Sequence, residues 1–357
     1  MHIPDGYLSP ATCTALYAGS APFWYVALRR VTRQIGTRLI PLLSVFAAFS
    51  FVVMMFNLPL PGGTTGHAVG IGIAAIVLGP WAAILAVSAA LTIQAVFFGD
   101  GGITALGANC FNMAVAGSLV AYAAYRALAG HAPLASRRRV LAAGVAGYLA
   151  INVSALLAAI EFGIQPMYFT DATGAPLYAP YPLRVAIPAM MAGHLTLAGV
   201  AEFIVSAGLV AWLQRSHLSL LQATAPGAAY GDDPPETAAG WRALRPLLAG
   251  LALLMLLTPL GILAVGTAWG EWSPRDFADP AARQSIAAAS GHVQPPTQAP
   301  RGIQQFSAVW TAPFPDYAPR FLRSASFGYI LSAAFGTGSI LALGLFAAWL
   351  SERRRRS

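Results

Sequence analysis

Lysine does not occur in this chain; all 21 basic residues among its 357 are arginine. That absence removes Schiff-base chemistry and the phosphate-binding lysine of a Walker A loop, so any coupled ATP hydrolysis belongs on another polypeptide. Cysteine is nearly absent as well, and Cys13 and Cys110, both inside apolar runs, read as small buried thiols rather than as a disulfide or redox pair. Charged residues make up only 10% of the chain, against 57% hydrophobic residues and a mean hydropathy of +0.63. Such scarcity of charge excludes an ordinary soluble domain and indicates a polytopic membrane protein. The net charge of +8 comes from arginines beside apolar runs, a pattern of topology signals that implies no nucleic-acid partner. The opening residues lack a basic n-region and a small-residue cleavage site, so the mature chain is expected to begin at Met1, with the methionine retained because His2 is bulky.

What the chain has in quantity is apolar length. A bilayer core of about 30 Å needs roughly 20 helical residues. Nine runs approach or exceed that: Thr12–Leu28, Leu39–Asn57, Ala68–Gly79, Trp81–Phe98, Thr104–Arg126, Arg139–Phe162, Arg184–Gln214, Leu244–Gly266 and Ser326–Leu350. The predicted fold is all-α, a polytopic membrane helix bundle of about nine spans. The third run is short and ends at Gly79-Pro80, as a half-span does when protein buries its ends. Placing the N-terminus outside sends fifteen arginines to the cytoplasm and leaves Arg184, Arg275, Arg283, Arg301, Arg320 and Arg323 outside, as the positive-inside rule requires. Met1, the loop holding His67 and the segment 267–325 then share the external side. Residues 218–243, with Pro226-Gly227 and Gly231-Asp-Asp-Pro-Pro235, read as a cytoplasmic linker. It separates a seven-span unit over 1–217 from a two-span unit over 244–357, whose external loop 267–325 lacks apolar periodicity and is expected to be only partly ordered.

The first two residues offer three nitrogens: the Met1 amine, the His2 amide and the His2 imidazole. Amine to amide closes a five-membered chelate ring and amide to imidazole a six-membered one, so a divalent ion that displaces the amide proton is held in a plane. Nickel(II) and copper(II) favour such tetragonal nitrogen sites, whereas zinc prefers a tetrahedron. His67, in Pro61-Gly-Gly-Thr-Thr-Gly-His67 on the same side, is the candidate for the fourth nitrogen; by itself such a histidine beside a helix start is more often a cap.

The opening Met-His-Ile-Pro-Asp-Gly, the loop Gly62-Gly-Thr-Thr-Gly-His67 and Gln94-Ala-Val-Phe-Phe-Gly-Asp-Gly-Gly-Ile-Thr-Ala-Leu-Gly-Ala-Asn109 resemble the M component of nickel/cobalt energy-coupling-factor transporters. The likeness runs over roughly residues 1–215, through His194-Leu-Thr-Leu-Ala-Gly-Val-Ala-Glu202, while the last third resembles the two-span N component fused in some members. The resemblance implies a substrate-capture protein of the bacterial or archaeal cytoplasmic membrane that is not an enzyme and carries no cofactor. Its transported ion would be nickel(II) or cobalt(II), its ligands Met1, His2 and His67, and its partners a transmembrane coupling subunit and a pair of cytoplasmic ATPases. The rival classes, a membrane metalloenzyme and a non-binding scaffold subunit, are weaker: the chain has no His-Glu-x-x-His helix and no histidine pairs facing each other across two spans.

Metal-bound imidazoles need partners that fix their orientation, and Asn57, Gln94 and Asn109, at the external ends of spans, are the candidates; interhelical hydrogen bonds explain each equally well. Asp5 reads as a cap for the turn at Gly6 in preference to a countercharge for the ion. Glu161, His194 and Glu202 are ionisable groups in or near spans, assigned to bundle or partner contacts rather than to a second metal site. Ala11, Ala15 and Gly19 form a small-residue row on the first span where a coupling subunit can dock, and Trp269, Glu271 and Trp272 are either a gate over the pocket or, more simply for the tryptophans, an interfacial belt.

Overall fold

The computed structural model describes residues 1–33, 39–228, 241–319 and 321–356. Arg38, Arg320 and the Gly231–Pro235 turn of the expected linker lie outside them. Six helices among the described residues are long and apolar enough to cross a membrane: α4 (Pro80–Phe98), α5 (Leu106–Ala129), α6 (Arg137–Tyr168), α7 (Leu183–Ser216), α8 (Leu244–Leu263) and α11 (Ala325–Leu350). Three earlier helices fall short of that measure by composition or length: α1 (Pro10–Arg33), which ends in arginines, α2 (Leu39–Met54) and α3 (Ile71–Leu78). Among the described residues the bundle is all-α apart from a hairpin of Leu58–Leu60 and Thr64–Gly66. Gly62 and Gly63 turn that hairpin with φ of 83° and 77°, a region that glycine enters without steric cost.

Helix α6 runs through the centre, packed between α5 and α7, while α11 lies along α2. At eight residues α3 is only about 12 Å long, yet it packs against the turn Leu218–Thr224 at the arginine-bearing end of the bundle. The chain between α2 and α3 therefore carries His67 well below the opposite end before the helix starts. All eight residues of α3 are buried, as a half-span requires. Its free N-terminal amides meet Glu202 of α7, whose carboxylate accepts from Val69 N (2.8 Å), Gly70 N (2.8 Å) and Gly72 N (3.1 Å). Glu202 is thus a bundle contact of one defined kind: it caps α3 from a distant helix.

The segment 267–325 is more ordered than its sequence indicates. It contains α9 (Pro280–Ala289), capped by Asp279 accepting from Ala281 N at 3.0 Å, then α10 (Arg301–Phe306) and a helical turn Pro315–Tyr317. Periodicity is missing because the segment does not build its own core. It docks through dispersed residues, among them Trp272, Phe277 and Ile303, all buried. Tyr7 Oη donates to Trp272 O (2.6 Å) and Gly302 N to Leu177 O (2.7 Å).

Candidate metal site

The N-terminus is a buried strut. Met1 and His2 are 4% and 1% exposed, and Ile3 is fully covered, so the amine sits inside the protein rather than at its surface. Asn109 fixes this segment by pairing both ways with Ile3, accepting from its N–H at 2.8 Å and donating to its carbonyl at 3.1 Å. Gly102 N donates to the same carbonyl at 2.9 Å, and Gly102 is required there because a Cβ would strike the backbone and carboxylate of Asp5. Asp5 turns away from the cap expected at Gly6. It accepts from Ile103 N (3.2 Å), Thr104 N (2.7 Å) and Thr104 Oγ1 (2.5 Å), stitching the opening turn to the start of α5.

The His2 and His67 rings lie 5.1 Å apart, centroid to centroid. His67 Nδ1 donates to Ala68 O at 3.0 Å, which leaves the Nε2 lone pair unprotonated for another role. Burial, with His2 and the Met1 amine nearby, lowers the His67 imidazole to about 3, so this ring is neutral at any physiological pH. His2 Nδ1 meets Asp100 Oδ1 in a short contact, and His2 Nε2 is buried with no hydrogen-bond partner among the described residues. Burial opposes ionisation of Asp100, but the His2 ring, His67 and the Tyr317 hydroxyl together outweigh it and hold the carboxyl well below its ordinary value. Asp100 Oδ2 in turn accepts from Tyr317 Oη (2.5 Å) and Gln94 Nε2 (3.3 Å), and Gln94 also donates to Tyr317 Oη (2.8 Å). Glu271 Oε1 stands 3.6 Å from the Met1 amine; burial pushes this carboxyl upward and the amine's charge pulls it back.

Of the three residues expected to orient the imidazoles, none hydrogen-bonds to a ring among the described residues. Asn109 holds Ile3, Gln94 reaches His2 only through Asp100, and Asn57 lines the cavity beside His67 without a side-chain hydrogen bond among the described residues. The group on His2 is Asp100, which lies inside the motif Gln94–Asn109 and is its sole acidic residue. Trp269 and Trp272 are buried at 5% and 6% exposure, so they belong to the cover over the site and not to an interfacial belt. His194 donates from Nδ1 to Met190 O at 2.8 Å and shares a small pocket with Met1, while Glu161 pairs with Asn112 Nδ2 at 2.8 Å. Among the described residues no three His, Cys, Asp or Glu side chains form a metal-holding group.

A family model described as the CbiM cobalt uptake substrate-specific transmembrane region matches residues 2–220. The chain belongs to the CbiM family. A second model, the PDGLE domain, matches residues 244–353. Over 99% of both chains the sequence is 57% identical to the fused nickel transport protein NikMN of Rhodobacter capsulatus, and over 93% of both it is 44% identical to the probable fused nickel transport protein LarMN of Lactiplantibacillus plantarum. A crystal structure described as a truncated transition metal transporter, 48% identical, superimposes with a TM-score of 0.57 over 60% of this chain and 99% of that one. CbiM-family membership makes this a multi-pass membrane transport protein, not an enzyme, and the substrate-binding component of a nickel/cobalt system of the energy-coupling-factor type.

Proposed function

We propose that the chain captures nickel(II) with four nitrogens, the Met1 amine, the His2 amide, His2 Nδ1 and His67 Nε2, at the outer face of the cytoplasmic membrane. The observation that carries this reading is the burial of the amine and the His2 ring against a second imidazole whose tautomer leaves Nε2 unprotonated. The six-membered chelate ring needs His2 Nδ1, the nitrogen that meets Asp100. Capture therefore exchanges a carboxylate for an ion at that atom. Asn109 and Gln94 act at one remove, the first by fixing Ile3 and the second by bracing Asp100, while Asn57 faces the arriving ion.

The planar nitrogen set favours nickel(II) over the alternative cargo, cobalt(II), and the relatives that match nearly end to end are named as nickel transport proteins. Residues 1–217 form the capture unit, 218–243 the cytoplasmic linker and 244–357 a two-span unit whose loop covers the site. The helices α1 to α3, added to the six long ones, make nine spans with the N-terminus external. Work for release comes from a transmembrane coupling subunit and cytoplasmic ATPases, since the chain has no lysine with which to build a Walker A loop. His2→Gln removes the imidazole that closes the six-membered ring while keeping the Met1 amine and His67. Nickel(II) binding to the purified full chain, followed by its planar-nitrogen absorption band, is expected to disappear; an unchanged band overturns the ligand set.

A further inference from the structure

Beside the nitrogen cluster lies a cavity of about 570 Å³, larger than a bare ion needs. Its wall includes Asn57, His67, Asp100, Glu271, Asp316 and Tyr317, and among the described residues no arginine lines it. His67 is only 7% exposed, and its Nε2 has no hydrogen-bond partner among the described residues. Asp316, by contrast, is exposed and makes no hydrogen bond or ion pair among the described residues. Its backbone is left-handed, with φ of 55°, and Tyr317 beside it has φ of 58°. That conformation is sparsely populated by residues other than glycine, and Tyr317 is held in it by Ser332 Oγ donating to its carbonyl at 2.9 Å and by stacking on Phe98 at 4.8 Å.

Six waters occupy about 180 Å³ at roughly 30 Å³ each, so a divalent ion with its first hydration shell intact fits the cavity with room to spare. We infer that this cavity is a pre-binding site for a hydrated divalent cation, with Asp316 at its exposed rim and Asp100 and Glu271 deeper, accepting hydrogen bonds from the ion's waters. The inference rests on the four-nitrogen reading of the inner site, to which the cavity delivers the ion. Carboxylates of one sign around a walled space concentrate cations and raise the association rate. The shell is shed only where nitrogen donors replace it.

The full chain in detergent micelles, mixed rapidly with nickel(II) chloride while the planar-nitrogen band is followed, tests this. In Asp316→Asn the association rate is expected to fall about fivefold at low ionic strength, with the gap closing near 0.5 M salt as exposed charges are screened. Dissociation rate and band position stay as in the wild type. Asparagine tolerates the left-handed backbone as aspartate does, so the substitution removes charge without changing the turn. Hexaamminecobalt(III), an inert cation whose ligands do not exchange, is expected to slow nickel association to the wild type while its own spectrum, subtracted as background, stays unchanged. Equal association rates in the two proteins, a dissociation rate that changes in proportion, or no slowing by the inert cation overturns the pre-binding site. A wild type that binds nickel without a planar-nitrogen band overturns the four-nitrogen reading, and the pre-binding site with it; a normal band with an unaffected association rate overturns the pre-binding site alone.

Discussion

His67 is a buried base kept neutral, and that has a measurable cost in acid. Its folded value of about 3 lies below the ordinary value of 6.5, so from near pH 6.5 downward the unfolded chain takes up a proton that the folded chain refuses. Stability from this group is complete above pH 6.5 and is lost as pH falls toward 3, at about 1.4 kcal/mol per pH unit. Metal-free wild type and His67→Gln, compared by thermal unfolding from pH 7.5 to 4.5, should therefore differ in slope, the wild type losing melting temperature faster as the solution is acidified; parallel curves would refute the assignment. His2 stands out in the sequence because chelate ring size is a covalent property and needs no fold, whereas His67 enters as a candidate only through its expected side of the membrane and the family resemblance. Asp100 is not legible there, because a carboxylate six residues past Gln94 becomes the partner of His2 only when a glycine-rich turn brings the two together across 98 residues. Tyr317 and Glu271 are less legible still, arriving from a segment with no periodic pattern to reveal where it docks.

Among the elements, α3 and its approach determine where His67 stands. The amides of Val69, Gly70 and Gly72 are anchored on Glu202, so the residue immediately before them has little freedom to move. A glutamine at 202 keeps the length but replaces one accepting oxygen with an NH2 group that faces N–H donors. Loss of two such bonds releases the start of α3, and nickel affinity should fall about tenfold, roughly 1.4 kcal/mol. The discriminating measurement is a double-mutant cycle with His67→Ala: if Glu202 acts through His67, Glu202→Gln adds almost nothing in the His67→Ala background, whereas additive losses would show a general structural effect. The brevity of the third apolar run and its Gly79-Pro80 stop can be read from the sequence, but the cap that makes a half-span tolerable lies 130 residues away. The nine-run pattern likewise identifies the helices without stating which can cross a membrane alone. Helix α3 needs the descending loop before it, and α2 is two residues short of the length that the long helices exceed.

The whole molecule is polarised along the bundle. Residues 1–9, the hairpin loop, the turn after α4, the segment before α7 and the cover 264–319 meet at one end: Ala179 N donates to Tyr7 O (3.0 Å), Trp310 Nε1 to Val96 O (2.8 Å), and Thr65 bridges to Ala268. Asp5, Asp100, Asp171, Glu271, Asp276, Asp279 and Asp316 all fall in those segments. At the other end Arg126 donates to Ala228 O (2.6 Å), Arg139 to Thr224 Oγ1 (3.3 Å) and Gln214 to Leu134 O (2.7 Å), with Arg137, Arg138 and Arg215 close by in sequence. A field of that direction suits a membrane whose cytoplasmic face retains arginine, and in the proposed orientation the acidic cavity would face outward. Cys13 and Cys110 are buried, so single cysteines placed on exposed sites report side without interference. Ala172→Cys, in the turn after α6, should react with a membrane-impermeant maleimide in intact cells, and Ala135→Cys, before α6, only after the membrane is opened. The opposite pattern would place the Met1 end inside the cell, where the chain would face the wrong supply of metal and the proposed direction of transport would fail.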